Sequence, residues 1–277
     1  MSARAQLRGA TVRGLILALQ FLTRLPTPRV PDFRPEDLAA SAAWFPVVGA
    51  AVGVVVAAAL VAGAFVDPWL GALAGLMVWV WITGALHLDG LADLADALGA
   101  AHRDPQRVLE VLRDPHVGTF GVVAIVLVLA AKLVLLAVVA RQLAPLAQAI
   151  RSAPAAGVAI PLGAELAVPV AALALVGAWA RFGAVVWSQT LPPLASGSAE
   201  RFAWRTRRAS LVAWAAALIV AAVWLFPPLA AAPLAIALWW AFLKHRLGGM
   251  TGDCLGAGIE VCETALLAVV ALSLGTP

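Results

Sequence analysis

Charge is scarce in this sequence. Of its 277 residues only 12% are Asp, Glu, Lys or Arg, against about a quarter in an ordinary water-soluble domain. Because 63% are hydrophobic, water is not the main solvent. Alternating short apolar and polar segments are missing as well, which excludes a membrane β-barrel. Cysteine is limited to Cys254 and Cys262, so no disulfide framework exists. The four histidines, His87, His102, His116 and His245, match no zinc spacing. No Ser/His/Asp or Cys/His set points to a covalent enzyme intermediate, and no internal repeat is present. Low complexity is confined to Ser196-Gly197-Ser198. A net charge of +4 is no sign of nucleic acid, since the arginines sit at the ends of apolar runs, where they anchor and orient helices.

What is present is a series of long uncharged runs. Residues 43–66, 68–86 and 209–243 hold no charge, and a helical span needs roughly 20 apolar residues. The fold class is therefore all-α: a polytopic transmembrane helix bundle forming one domain over 1–277. About seven spans are predicted, at 43–66, 69–86, 119–140, 166–190, 209–226, 229–243 and 260–275. Asp67-Pro68 and Phe226-Pro227-Pro228 form the tight hairpin tips. Before the first span, Arg4, Arg8 and Arg13 precede a short apolar run closed by Arg24, without a clear cleavage site. This reads as a retained interfacial or re-entrant segment.

Counting crossings puts 1–42, 87–118, 191–208 and 244–259 on one side. That side holds fifteen Lys and Arg residues, from Arg4 to Arg246, and the other only Arg141 and Arg151. The positive-inside rule makes the first side cytoplasmic. Pro154, Pro161 and Pro169 leave room for a further crossing between 141 and 190.

Three polar constellations fall on that basic side, within 87–121 and 244–263. In His87-Leu-Asp-Gly-Leu-Ala-Asp-Leu-Ala-Asp96, helical geometry gathers Asp89, Asp93 and Asp96 within an arc of roughly 60°. Three aligned carboxylates repel unless a cation joins them, and oxygen ligands suit a hard ion such as magnesium. The bland alternative is a helix cap with a solvated face. In Leu247-Gly-Gly-Met-Thr-Gly-Asp-Cys-Leu-Gly-Ala-Gly-Ile-Glu260, Asp253 and Glu260 share a helical face. Gly252 and its neighbours permit close approach of a ligand or of another helix, and Lys244 and Arg246 lead in as phosphate contacts. Glu263 lies about 80° away around the helix and ranks lower. In Leu112-Arg-Asp-Pro-His-Val-Gly-Thr-Phe-Gly121, Arg113 can grip phosphate, and Gly118-Thr119 offers amides at a helix start; a plain loop explains it equally. Arg181, deep in its span, suggests an inward phosphate-binding role. Lys132 reads as a partner for a carboxylate.

Together these describe metal-assisted phosphate chemistry, either transfer or hydrolysis. The three blocks, with Leu19-Gln-Phe-Leu-Thr-Arg-Leu-Pro-Thr-Pro28 and Trp44-Phe-Pro-Val-Val-Gly49, resemble in order the signature of the cobalamin synthase family, the adenosylcobinamide-GDP ribazoletransferases. The resemblance covers nearly the whole chain. It implies a bacterial inner-membrane enzyme, with its site on the cytoplasmic face, that joins adenosylcobinamide-GDP to α-ribazole or its 5′-phosphate and releases GMP, with Mg2+ as cofactor. It also implies that Asp89, Asp93, Asp96 and Asp253 hold metal, and that Glu260, Arg113 and Arg181 are catalytic. Oligomerisation and pathway partners stay open. The chain departs from the family at Asp96-Ala97, where Asp-Gly is usual, and at Pro115-His116, where Ser and a basic residue are usual. A CDP-alcohol phosphotransferase would place Arg after Ala92, where Asp93 stands. A cation transporter would place its acids near mid-membrane.

Overall fold

The structure, a computed structural model, describes residues 3–31, 37, 40–100, 108, 110–112, 116–147, 163–194 and 208–275. Arg113, the arginines at 201–207, and Pro154 and Pro161 lie outside the described residues. The main helices are α1 (Ala3–Leu22), α2 (Phe45–Ala64), α3 (Pro68–Thr83), α4 (Leu86–Ala100), α5 (Thr119–Arg141), α6 (Gly163–Thr190), α7 (Arg208–Leu225), α8 (Ala232–Arg246) and α9 (Gly252–Gly275). Short 3-10 turns, Ala42–Trp44 and Pro227–Ala231, lead into α2 and α8. Among the described residues there is no β-strand, only a single bridge between Pro193 and Met250.

Six helices are long and apolar enough to cross a membrane, and α3 with α4 forms a bent pair that makes up to seven. That agrees with the span count drawn from hydropathy. α3 starts where Asp67 accepts hydrogen bonds from the backbone N–H groups of Trp69 (2.8 Å) and Leu70 (3.2 Å), with Pro68 pre-set in the first turn. It stops at Gly84 and Ala85, with φ of +61° and +58°. Glycine takes the left-handed region freely; alanine does so at a cost. The two residues turn the chain by 84° into α4, so the apolar run does not continue straight into the acidic motif.

Small residues bring the spans together. A Cβ at Gly49 or Gly53 of α2 would strike the backbone of Gly177 or Leu173 in α6, and one at Gly63 would lie 2.7 Å from Gly71 of α3. Such crossings suit a bilayer, where close backbone packing replaces the hydrophobic drive between helices. α1 docks through Ala18 and Leu22 against Phe45, Val48 and Val185. Its apolar part, Thr11–Leu22, is shorter than the spans, in keeping with a segment that does not cross.

The final helix differs from expectation. It begins at Gly252, eight residues before the predicted 260, and so takes in the glycine-rich motif. Thr251 initiates it: its hydroxyl accepts from the Cys254 N–H at 3.3 Å. Two of its glycines are helical where neighbours fill the missing side chain: a Cβ on Gly256 would lie 3.4 Å from His87 Cα, and one on Gly258 would strike the Trp187 and Trp239 rings.

Candidate active site

The acids of α4 and of the start of α9 come together. At the crossing of these helices a Cβ on Gly90 would lie 2.9 Å from Asp253 Cα, which only glycine avoids. Asp89 and Asp253 therefore stand on the wall of one cavity of about 180 Å3, which also includes His87, Ser188, Gly252 and Gly256. The ends of α1 and α6 and the start of α2 close it through Leu22, Ala184 and Phe45. Asp93 is half-buried and feels the charges of Asp89, Asp253 and Asp96. The Thr251 hydroxyl lies 3.3 Å from Asp253 Oδ2, which it reaches as a donor.

Asp96 is used differently. Its two oxygens accept from the Gly118 N–H (2.7 Å) and the Gly121 N–H (2.9 Å), tying α4 to the first turn of α5. The Gly118 and Gly121 amides, the former read as an anion donor, thus have a carboxylate of the protein itself. Thr119 is exposed on the first turn of α5. Lys244 and Arg246 are exposed on the last turn of α8 and are not part of the cavity wall; the Lys244 ammonium lies 4.6 Å from the centre of the Trp240 ring. Gly252 does reach the cavity, with open space where a Cβ would project.

Two turns further along α9 the chemistry changes. Lys132 of α5 donates to Glu260 (2.7 Å) and to Glu263 (2.5 Å). Arg181 of α6 pairs with the other oxygen of Glu263, and the Trp79 indole N–H also donates to that oxygen at 3.2 Å. All four charged side chains are at most 5% exposed. Two cations balance two carboxylates, so four helices share a neutral ionic core. Arg181 and Glu260 belong to this core and not to the cavity wall.

Reading the sequence missed His87 and underrated Glu263. His87 is 3% exposed, lines the cavity, and neither ring nitrogen has a hydrogen-bond partner. A buried imidazole without a partner is costly, and that signal appears only in three dimensions. Glu263 was recognisable only through Lys132 and Arg181, which come from other helices.

Among the described residues no three His, Cys, Asp or Glu side chains gather closely enough to hold a metal by themselves. The donor set nonetheless suits magnesium, which keeps several waters and is commonly held by one or two carboxylates together with substrate phosphates. Asp89 and Asp253 offer those oxygens on the cavity wall, and Asp93 lies near enough to feel both charges.

Fold and site define a multi-pass membrane protein with an acid-lined cavity at one end of its bundle. The model of the cobalamin-5-phosphate synthase family matches residues 14–271, and the chain belongs to that family. It is 50% identical to an adenosylcobinamide-GDP ribazoletransferase of Thiobacillus denitrificans over 95% of this chain and 96% of the relative. A protein of the same name from Laribacter hongkongensis is 52% identical over 95% and 99%, and one from Rhizobium johnstonii 34% over 93% and 95%. No solved structure matches.

Proposed function

We propose that this chain is a transferase of late cobalamin synthesis, joining adenosylcobinamide-GDP to α-ribazole or its 5′-phosphate with release of GMP. The observation that carries the reading is the convergence of Asp89 and Asp253, from motifs 164 residues apart, on one cavity wall. A diphosphate cannot approach two carboxylates without a countercharge. Asp89 and Asp253, with Asp93 nearby, would hold Mg2+, which when bound would neutralise the diphosphate and the leaving phosphate.

The rest is the work of the chain. At the start of α9, Gly252 on the cavity wall leaves room for a phosphate. Ser188, whose hydroxyl donates to Val185 O at 3.0 Å, keeps lone pairs to accept from a ribose hydroxyl. A ribose hydroxyl that is free in both acceptors, and so not the 5′-oxygen, attacks the phosphorus carried by the cobinamide; that P–O bond forms as the bond to the GMP oxygen breaks, and the hydroxyl proton leaves to solvent. Arg113 serves as a phosphate clamp on the strength of its motif. Glu260 and Arg181 act from behind: their ionic core fixes the rotation of α9 and so the direction of Asp253.

We place the cavity on the cytoplasmic face of a bacterial inner membrane. The support is the excess of arginine in the loops at that end, together with the bacterial relatives.

Purified protein in detergent, given adenosylcobinamide-GDP, should release GMP only when both α-ribazole and Mg2+ are present, and chelation should stop it. GMP release without acceptor would make the enzyme a hydrolase. No release under any of these conditions would overturn the reading.

A further inference from the structure

A second cleft, of about 530 Å3, opens between α6, α7 and α8. Its wall is apolar apart from Thr190, and includes Phe182, Leu211, Ile219, Ile236 and Trp240. It exists because α7 is the least covered of the spans and because Ala215 and Ala237 present small side chains along it. It follows eight helical residues of α7, from Leu211 to Ile219, and eleven of α6, from Trp179 to Thr190, or about 12–17 Å. That is close to one leaflet of hydrocarbon, about 15 Å. The end marked by Thr190, Leu211 and Trp240 is where α6 terminates, α7 begins and α8 nears its last turn. Two cations stand there: Arg208, exposed three residues before Leu211, and Lys244, whose ammonium sits over the Trp240 ring.

We infer that this cleft is a binding site for one anionic phospholipid of the leaflet on the basic side, its acyl chain lying along α7 and its phosphate held between Arg208 and Lys244. A slot one leaflet long with charge only at its outer end fits a chain bearing a negative headgroup. A polar substrate finds no partner along its length, and a zwitterionic lipid gains little from two cations. Lys244, read from the sequence as a contact for substrate phosphate, is thereby a contact for lipid phosphate. The inference does not depend on the reaction proposed above.

The test compares dioleoyl phosphatidylglycerol with dioleoyl phosphatidylcholine, added to delipidated full-length protein in detergent, by native mass spectrometry and thermal unfolding. Phosphatidylglycerol should bind more tightly and raise the midpoint more. Each of Arg208→Gln and Lys244→Gln should weaken it roughly fivefold, as expected for one cation near an anionic headgroup, and leave phosphatidylcholine unaffected. Ala215→Trp, which fills the slot, should abolish the preference. Should that variant not fold, a fluorophore on Val212→Cys reads the same contact, because Cys254 and Cys262 are buried; chain-brominated phosphatidylglycerol should quench it more than the phosphatidylcholine analogue. Equal binding of the two lipids, indifference to both Gln variants, or full stabilisation by soluble glycerol phosphate would overturn the inference. So would disulfide-linked dimers of Val212→Cys in bilayers, which would give the cleft to a second copy of the chain.

Discussion

Helix α9 carries carboxylates in two settings. Asp253, at its start, looks into a cavity beside Asp89 with no cation of the described residues paired to it. Glu260 and Glu263, two turns on, are sealed among Lys132 and Arg181. The residue chemistry is nearly the same, but the source of countercharge differs. Where the protein supplies its own cation, the acids hold helices together; where it does not, a bound cation would supply the missing charge. The contrast separates architecture from chemistry along one helix.

The comparison is most easily broken at Glu263. Glu263→Ala leaves Lys132 and Arg181 buried without full compensation and should cost about 3–5 kcal/mol, seen as a large fall in the unfolding midpoint in detergent. A midpoint near wild type would mean that the ionic core carries no stability. At the cavity end the opposite pattern is expected. Asp89→Asn and Asp253→Asn should keep or raise the midpoint, since each relieves repulsion. GMP release should nonetheless drop by at least the roughly 100-fold that losing even an outer partner of a metal site can cost. Parallel losses of stability and turnover would merge the two regions into one.

Asp96 falls between the two cases, an acid of the motif tied to backbone amides. Asp96→Ala should cost about 1–3 kcal/mol for the two unmet donors and speed hydrogen exchange at Gly118 and Gly121; unchanged exchange would return Asp96 to the pool of free carboxylates. His87→Phe sharpens the comparison least. If the orphaned ring nitrogens meet substrate, kcat/KM should fall about tenfold, the scale of one net hydrogen bond, while the midpoint holds. Unaltered kinetics would leave His87 as a wall of the cavity and no more.

How much of this could be read in advance follows from which interactions are local. Hydropathy located the spans because every crossing helix must be apolar over its own length. The alignment of Asp89, Asp93 and Asp96 follows from helical periodicity. Their separation into Asp89 at the cavity and Asp96 at a backbone junction does not, since it depends on where α5 starts relative to α4. The eight-residue error at the start of α9 has a similar origin: Gly256 and Gly258 weaken a helix in isolation and are helical here because His87, Trp187 and Trp239 occupy the space they leave. Lys132 and Arg181 could be recognised as buried cations, but their shared partner, Glu263, could not. Arg113 and the arginines at 201–207, which supported both the phosphate clamp and the sidedness, lie outside the described residues.

The elbow at Gly84-Ala85 fixes the altitude of the chemistry. Had α3 run straight on, its twelve further residues to Asp96 would have lifted that carboxylate about 18 Å along the axis, a mast standing clear of the bundle. Folded through 84°, the acidic helix becomes a shelf level with the start of α9. Asp89 thereby meets Asp253 where α4 crosses α9.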